Sequence, residues 1–382
     1  MPEATTTPYR IALDARFFRK ETAGLGRYTR ELIHHLAALD HFNQYTVFLT
    51  PADMLEWDLN QDNFQPVVIP ITHYSLAEQT KLYVALQKGH FDLVHFLNFN
   101  HPLLYRRPFV TTLHDLTVYL YPVGRSQKSR LRRLAFVHTL KRSLKAASKV
   151  IAVSENSAAD AEKLLGISHA KMEVIYHGGP DPVSHGGGSK GAVQSYLGTK
   201  DPYFLFVSQW RPHKGILTLI EAFNDFKKRT GLPHKLVLLG KKKALEEEVQ
   251  KALEASPYFT DIVTPGFAPD ELLPGIYHFS EAYIMPSEYE GFGLMILEAY
   301  NFGAPVITAE NSSLPEVAGK GALYFPTRDA KKLADRMEQL VSTPGLPDQL
   351  REKGEAQMKK FSWEKTARHT LNVYLSVLEK RR

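Results

Sequence analysis

Short runs of β-branched and aromatic residues alternate with segments of helical apolar period along the whole of this chain, and few folds accept such alternation. Buried parallel strands read as brief continuous apolar runs, and parallel neighbours need a crossover, usually a helix, to join them. The first series of runs is Ile11–Asp14, Val47–Thr50, Val67–Pro70, Leu93–Phe96, Val110–Leu113, Val150–Val153 and Val174–Tyr176. Between them the apolar spacing predicts helices over Leu25–Leu39, Ser75–Lys88, Lys128–Ala147 and Asn156–Leu165. A second series runs through Tyr203–Val207, Lys235–Leu239, Ile262–Thr264, Ala282–Met285, Pro305–Thr308 and Ala322–Phe325. Helices are predicted with it at Gly215–Arg229, Leu294–Phe302, Arg328–Leu340 and Trp363–Leu378. Order and composition together predict an α/β architecture with parallel sheets.

The alternation breaks once. From Gly178 to Gly191 no apolar period survives and glycines crowd together, which predicts a mobile loop or linker over 178–190. At 382 residues the chain is too long for one typical domain and fits two of roughly 150–200 residues each. The expected division is therefore 1–177, the linker 178–190, and 191–362. Two such domains leave a cleft, and small-molecule sites favour domain interfaces.

Charge narrows the partners. The net charge of +6 points to polyanionic contacts: nucleic acid, anionic lipid or substrate phosphates. It is concentrated between Arg125 and Lys149, where Arg and Lys recur with no Asp or Glu among them. Leu131, Leu134, Val137, Leu140 and Leu144 recur at helical spacing there, so a basic amphipathic helix is expected. A packed helix with a solvated basic face explains that pattern, and so does a surface for an anionic membrane. No aromatic–basic interleaving accompanies it, which argues against nucleic acid. The absence of cysteine excludes disulfides, thiolate metal sites and cysteine nucleophiles. The first residues lack the apolar core of a signal peptide, and no run is long enough to span a membrane. A soluble, cytoplasmic protein is expected, in peripheral contact with the inner face of the membrane if the basic helix binds lipid.

Four loops after predicted strands carry candidate chemistry. Glu290 and Glu298 flank Gly291 and Gly293 where a buried strand meets a helix start, a junction that ligand sites in open α/β sheets favour. The glycines remove bulk where a ligand would approach the backbone, and a polyol would offer hydroxyl donors to both carboxylates. Glutamate near a helix N-terminus is also simply stabilising. Arg211 and Lys214 share one short loop and are donors of the kind a diphosphate needs. His114, directly after Val110–Leu113, is a candidate hydrogen-bonding or charge-stabilising group. Gly24 and Gly26 precede a predicted helix and would let backbone N–H groups approach a phosphate, although their spacing matches neither a Walker A loop nor a dinucleotide fingerprint. No spacing typical of a metal site occurs.

The ordered set of motifs resembles the retaining glycosyltransferases of family 4 (GT4), which carry two Rossmann-like domains in the GT-B arrangement. The likeness runs through Asp14-Ala-Arg16, Gly24-Leu-Gly-Arg-Tyr-Thr-Arg-Glu-Leu32, Thr112-Leu-His-Asp-Leu116 and Val153-Ser-Glu-Asn-Ser157. It continues with Lys214-Gly215, Gly266-Phe-Ala-Pro-Asp-Glu-Leu272, Pro286-Ser-Glu-Tyr-Glu-Gly-Phe-Gly-Leu294 and Glu298-Ala299. Gly303-Ala-Pro-Val306, Ser313-Leu-Pro-Glu-Val317 and Phe361-Ser-Trp-Glu-Lys365 complete it.

The resemblance implies a nucleotide sugar held mainly by the second domain and an acceptor held mainly by the first, with the final helix, 363–382, packed back on the first. It implies Glu298 on the donor ribose, Glu290 on the transferred sugar, Lys214 on the diphosphate, and Gly24 and Gly26 facing that diphosphate. His114 would touch the sugar, and main-chain N–H groups around Phe292, Gly293 and Leu294 would stabilise the leaving group. Gln209 stands where relatives often carry arginine, so Arg211 is expected to substitute. The motifs are most similar to those of bacterial mannosyltransferases of surface-polysaccharide or lipid-linked glycan synthesis. They imply GDP-mannose as donor, a glycan or lipid-linked acceptor, and no metal or other cofactor. The alternatives are a UDP-glucose or other hexose donor, an epimerase or hydrolase on the same plan, and a non-catalytic sugar-nucleotide-binding protein.

Overall fold

The computed structural model describes residues 7–121, 130–180, 188–240 and 246–380, with the main chain alone for 130–132 and 246. The middle of the expected linker, 181–187, and the start of the basic segment, including Arg125 and Lys128, lie outside the described residues. The chain forms two compact units. Unit 1 comprises Met1–Tyr119, Arg125–Gly178 and Ser362–Arg382, and unit 2 comprises Leu120–Gly124 and Gly179–Phe361.

Unit 1 is built on β1 (Arg10–Asp14), β2 (Gln44–Leu49), β3 (Phe64–Val68), β4 (Leu93–Phe96), β5 (Phe109–Leu113), β6 (Lys149–Ala152) and β7 (Met172–Val174). They form one seven-stranded parallel sheet in the order β3-β2-β1-β4-β5-β6-β7. Unit 2 contains β8 (Tyr203–Val207), β9 (Lys235–Leu239), β10 (Ile262–Gly266), β11 (Ala282–Met285), β12 (Val306–Ala309) and β13 (Ala322–Phe325). Their sheet is again wholly parallel, in the order β10-β9-β8-β11-β12-β13.

Both units follow one plan. The chain enters mid-sheet, winds outward to one edge, returns, and winds to the other. The reversal lies between β1 and β4 in unit 1 and between β8 and β11 in unit 2. Loops leaving the carboxyl ends of such a strand pair diverge to opposite faces, which opens a crevice. β4, β5 and β11 are buried at every position, as expected of strands covered on both faces.

Each predicted strand is present within a few residues, while the helices show instructive differences. The predicted helix over Ser75–Lys88 is interrupted near its start by a π-helical turn, Glu78–Leu82, before the α-helix Tyr83–Gly89. A buried ion pair accounts for the wide turn, because Glu78 is turned inward and its carboxylate accepts from Arg16 and Asn100. The helix Leu346–Met358 has no counterpart in the sequence reading: of its residues only Leu350, Gly354 and Gln357 are buried, so no apolar stripe marks it. The basic helix spans Arg130–Ala146. Its apolar stripe is incomplete: Leu140 and Leu144 are buried, whereas Leu134 is 66% exposed. Gly178 and Gly179, expected in a mobile linker, are buried. A Cβ on Gly178 would stand 2.3 Å from the Trp363 nitrogen, so close packing explains that glycine. The helix Lys190–Leu197 begins at the last residue of the expected linker, capped by the Ser189 hydroxyl.

The final helix, Trp363–Glu379, belongs to unit 1 and packs beside the helix Gly24–Leu39. Tyr374 Oη meets His95 Nδ1 at 2.6 Å, and the Thr366 hydroxyl donates to the Tyr176 carbonyl at 2.7 Å.

Candidate functional site

In unit 2 the crevice residues come from the loops after β8 and β11. Lys214 ends the first loop, in the short turn Pro212–Lys214, and Glu290 lies in the second. The Lys214 ammonium reaches Glu290 Oε1 at 2.6 Å, and the Ser287 hydroxyl donates to the same oxygen at 2.6 Å. Main-chain contacts fix the two loops to each other. The Glu288 N–H donates to the His213 carbonyl at 2.7 Å. Gly215 has φ 68°, and a Cβ there would stand 2.0 Å from the Pro286 oxygen, so only glycine lets the loops approach.

A third loop, after β12, supports this pair from behind. The Glu290 N–H donates to the Ser312 hydroxyl at 3.1 Å, and the Asn311 amide donates to the Glu288 carbonyl at 2.7 Å. Ser313 is fully buried, and its hydroxyl lies 3.0 Å from the Glu290 carbonyl and 2.8 Å from the Phe292 carbonyl. The side chains of Lys214 and Glu290 nonetheless keep 17% and 13% exposure, so the pair is held firmly yet open to solvent.

Gly293 follows in a left-handed conformation, φ 106°, and caps the helix Leu294–Asn301. Gly291 is buried beside it and Leu294 is half-buried. The Phe292 ring packs edge-on against Phe361 at 5.7 Å, which leaves the main chain as that residue's means of reaching a ligand. Glu298 lies one turn further in, 8% exposed, with the Tyr277 hydroxyl donating to Oε2 at 3.4 Å. Burial, with Glu290 and Glu298 nearby, pushes the Tyr283 phenol well above its ordinary range, so both carboxylates act on one buried ring. Arg211 is half-buried at the start of the Lys214 turn and forms no ion pair among the described residues.

The unit 1 candidates are arranged differently. Gly24 and Gly26 are not in a loop before the helix: they are the first and third residues of the helix Gly24–Leu39. The cause is Lys20–Thr22, a 3₁₀ turn that runs directly into the helix, with the Ala23 N–H bonded to the Lys20 carbonyl. A Cβ on Gly26 would stand 2.1 Å from the Arg19 oxygen, so packing against that turn accounts for this glycine. His114 follows β5, and its Nε2–H donates to the Leu97 carbonyl at 2.8 Å. Its ring meets Tyr28 edge-on at 4.7 Å and His177 at 5.6 Å. Burial lowers its pKa, so the ring is neutral at neutral pH and Nδ1 is an acceptor. Hydrogen bonding fits this environment better than a cationic role.

At the unit 1 reversal stands a second ion pair. Arg16 donates to both oxygens of Asp14 at 2.7 Å and to Glu78 at 3.1 Å. Sequence reading quoted Asp14 and Arg16 but missed Glu78, which lies far away in the chain. It also missed Ser312 and Asn311, and quoted Ser287 and Ser313 without a role. The serines flanking the Glu290 motif were the available signal. Among the described residues no three His, Asp or Glu side chains gather as a metal site requires.

The comparisons with known proteins agree with this geometry. Residues 22–179 match the family model "Glycosyltransferase Family 4", and residues 193–357 match "Glycosyl transferases group 1". Both halves of the chain are glycosyltransferase domains. The chain is 27% identical over 372 residues to the O-antigen chain mannosyltransferase B of Escherichia coli, a match covering 92% of this chain and 95% of that one. Among solved structures it is similar to the sucrose-phosphate synthase of Thermosynechococcus elongatus, with TM-score 0.77, 21% identity and coverage of 97% and 100% of the two chains. HepE of Anabaena, solved in complex with UDP and glucose, matches with TM-score 0.71, 19% identity and coverage of 97% and 100%. The fold of this glycosyltransferase is thus the two-domain GT-B fold. No described helix is long and apolar enough to cross a membrane.

Proposed function

We propose that the protein transfers a mannosyl residue from GDP-mannose to a glycan or lipid-linked acceptor, with retention at the anomeric carbon. The observation that carries this reading is the solvent-open Lys214–Glu290 pair, 2.6 Å apart at the reversal point of the unit 2 sheet. In this reading the donor diphosphate takes over the Lys214 ammonium, which frees the Glu290 carboxylate to accept from sugar hydroxyls. Lys214, Arg211 and the main-chain N–H groups at Phe292, Gly293 and Leu294 then stabilise charge on the departing diphosphate. Glu298 accepts from the ribose hydroxyls. His114 accepts a sugar hydroxyl through Nδ1, and the first turn of the helix that Gly24 opens offers main-chain N–H groups to a phosphate, with Gly26 seating that turn closely against the Arg19 carbonyl. The acceptor attacks from the side the diphosphate leaves, through an oxocarbenium-like state, and the diphosphate takes the acceptor proton. No metal is required, so turnover should survive chelation by EDTA.

Mannose is the sugar supported by the Escherichia coli relative, whose own name describes a mannosyltransferase. The second reading, a UDP-glucose donor, draws support from HepE, solved with UDP and glucose. Thermal shift across GDP- and UDP-sugars decides between them. Stabilisation by GDP-mannose is expected, and stabilisation by UDP-sugars alone would overturn the mannose assignment. A cytoplasmic location, with the basic helix against the inner face of the membrane, completes the proposal. Salt-sensitive binding to anionic vesicles is its expected sign, and no binding at low salt would remove it.

A further inference from the structure

A second cationic feature of unit 1 lies away from the carboxyl ends of its strands. Arg106 precedes β5 by a few residues, and Lys145 and Ala146 close the helix that leads into β6, so these residues gather at the amino edge of the sheet. Together with His138, Lys141 and Arg142 they line a basin of about 520 Å³, within the usual size range of small-ligand sites. His138, Lys141, Arg142 and Lys145 recur three and four residues apart, which places them along one side of the helix. No carboxylate lines the basin, and none of these five side chains is ion-paired among the described residues.

Such a cluster is unfavourable when empty. Lys141 and Lys145 are like charges at helical spacing, an arrangement that destabilises a helix. Arg142 Nε is shielded from solvent and has no hydrogen-bond partner among the described residues, so a ligand in the basin would meet the terminal guanidinium nitrogens. The negative end of the helix supplies no countercharge either, because the Lys171 ammonium already covers the Lys145 carbonyl. The field reaches inward: burial, then Arg142 and Arg106, push the enclosed His101 imidazole down to about 4.

We propose that this basin is a binding site for a ligand carrying more than one phosphate group, separate from the nucleotide-sugar site and independent of its assignment. Arg106, Arg142 and the two lysines are the donors, arginine suiting phosphate by its planar fork and lysine as a point charge. The volume and four permanent charges fit a diphosphate or triphosphate group better than one phosphate. Such a group can be borne by a soluble compound or by anionic lipid headgroups.

The test uses the full chain in a Lys214→Ala background, which weakens phosphate binding at the other site. Inorganic tripolyphosphate is titrated calorimetrically at low salt, and the variants R106A/R142A and K141A/K145A are compared with the remote charge control Lys331→Ala. The expected result is one saturable site, weakened tenfold or more by either pair and unchanged by the control, with unfolding midpoints preserved. Phosphatidylcholine–phosphatidylglycerol vesicles form the second arm. Vesicle binding lost in the same variants assigns the phosphates to lipid, and tripolyphosphate binding without vesicle binding assigns them to a soluble compound. Absence of saturable tripolyphosphate binding, or equal weakening by the control, would overturn the site.

Discussion

The two sheets share one winding and place an ion pair at the same topological point, yet the pairs differ in kind. In unit 1, Arg16, Asp14 and Glu78 have side-chain exposures of 0%, 6% and 2%, and their bonds are to one another and to neighbouring backbone and Asn100. In unit 2, Lys214 and Glu290 remain partly open, and one carboxylate oxygen takes both protein donors. Topology decides where polar loops converge. Access to solvent decides whether the converging charges serve the fold or a ligand, since a sealed network cannot exchange partners without breaking.

The largest effect that sharpens this contrast is on stability. Arg16→Ala leaves two buried carboxylates unpaired and should cost about 3–5 kcal/mol of unfolding free energy, whereas Lys214→Ala should cost about 1 kcal/mol or less. Chemical denaturation checks both, and equal losses would erase the distinction between the pairs. The next effect reverses the ranking. Lys214→Ala and Glu290→Ala should each lower turnover by about 10²–10³, comparable to removing a main charge-stabilising donor, in an assay of nucleoside diphosphate release. Near-full activity in both variants would remove the assignment.

Acid should separate the units more gently. Burial lowers the pKa of His95 to about 3, burial and its arginine neighbours lower that of His101 to about 4, and His114 and His177 are also shifted down, all in unit 1. Unit 2 has His234, lowered to about 4 by burial and by Lys227. The unfolded chain therefore binds protons that these folded rings refuse. Their contribution to stability is complete above pH 6.5 and is lost as pH falls towards the folded values, by about 1.4 kcal/mol per pH unit for each histidine. Between pH 7 and 5, unit 1 should lose more stability than unit 2. Trp210 fluorescence reports unit 2, while Trp57 and Trp363 report unit 1, so single-tryptophan variants read the two separately. The smallest effect concerns support. Ser287→Ala removes one hydrogen bond from Glu290 and should lower turnover about 3–10-fold, which corresponds to about 1 kcal/mol.

Much of the architecture was legible because buried parallel strands are continuous apolar runs, as in β4 and β11. The loops bearing Lys214 and Glu290 were legible for the same reason: they begin where such runs end. Features set by distant contacts were not. Glu78 distorts its helix because Arg16, sixty-two residues earlier, draws it inward, and no local period encodes that. Glycine at a helix start has several causes, and the close approach of the Arg19 carbonyl to Gly26 is visible only in three dimensions. Ser313 was legible as part of a motif, but its hold on the Glu290 and Phe292 carbonyls was not.

The central claim divides labour within one ion pair, with Lys214 on the diphosphate and Glu290 on the sugar. Calorimetric titration of GDP and of GDP-mannose into the parent protein, Lys214→Ala and Glu290→Ala tests it directly. Lys214→Ala should weaken both ligands alike, while Glu290→Ala should weaken GDP-mannose and leave GDP almost unchanged. Unaltered affinity for both ligands in both variants would contradict the account.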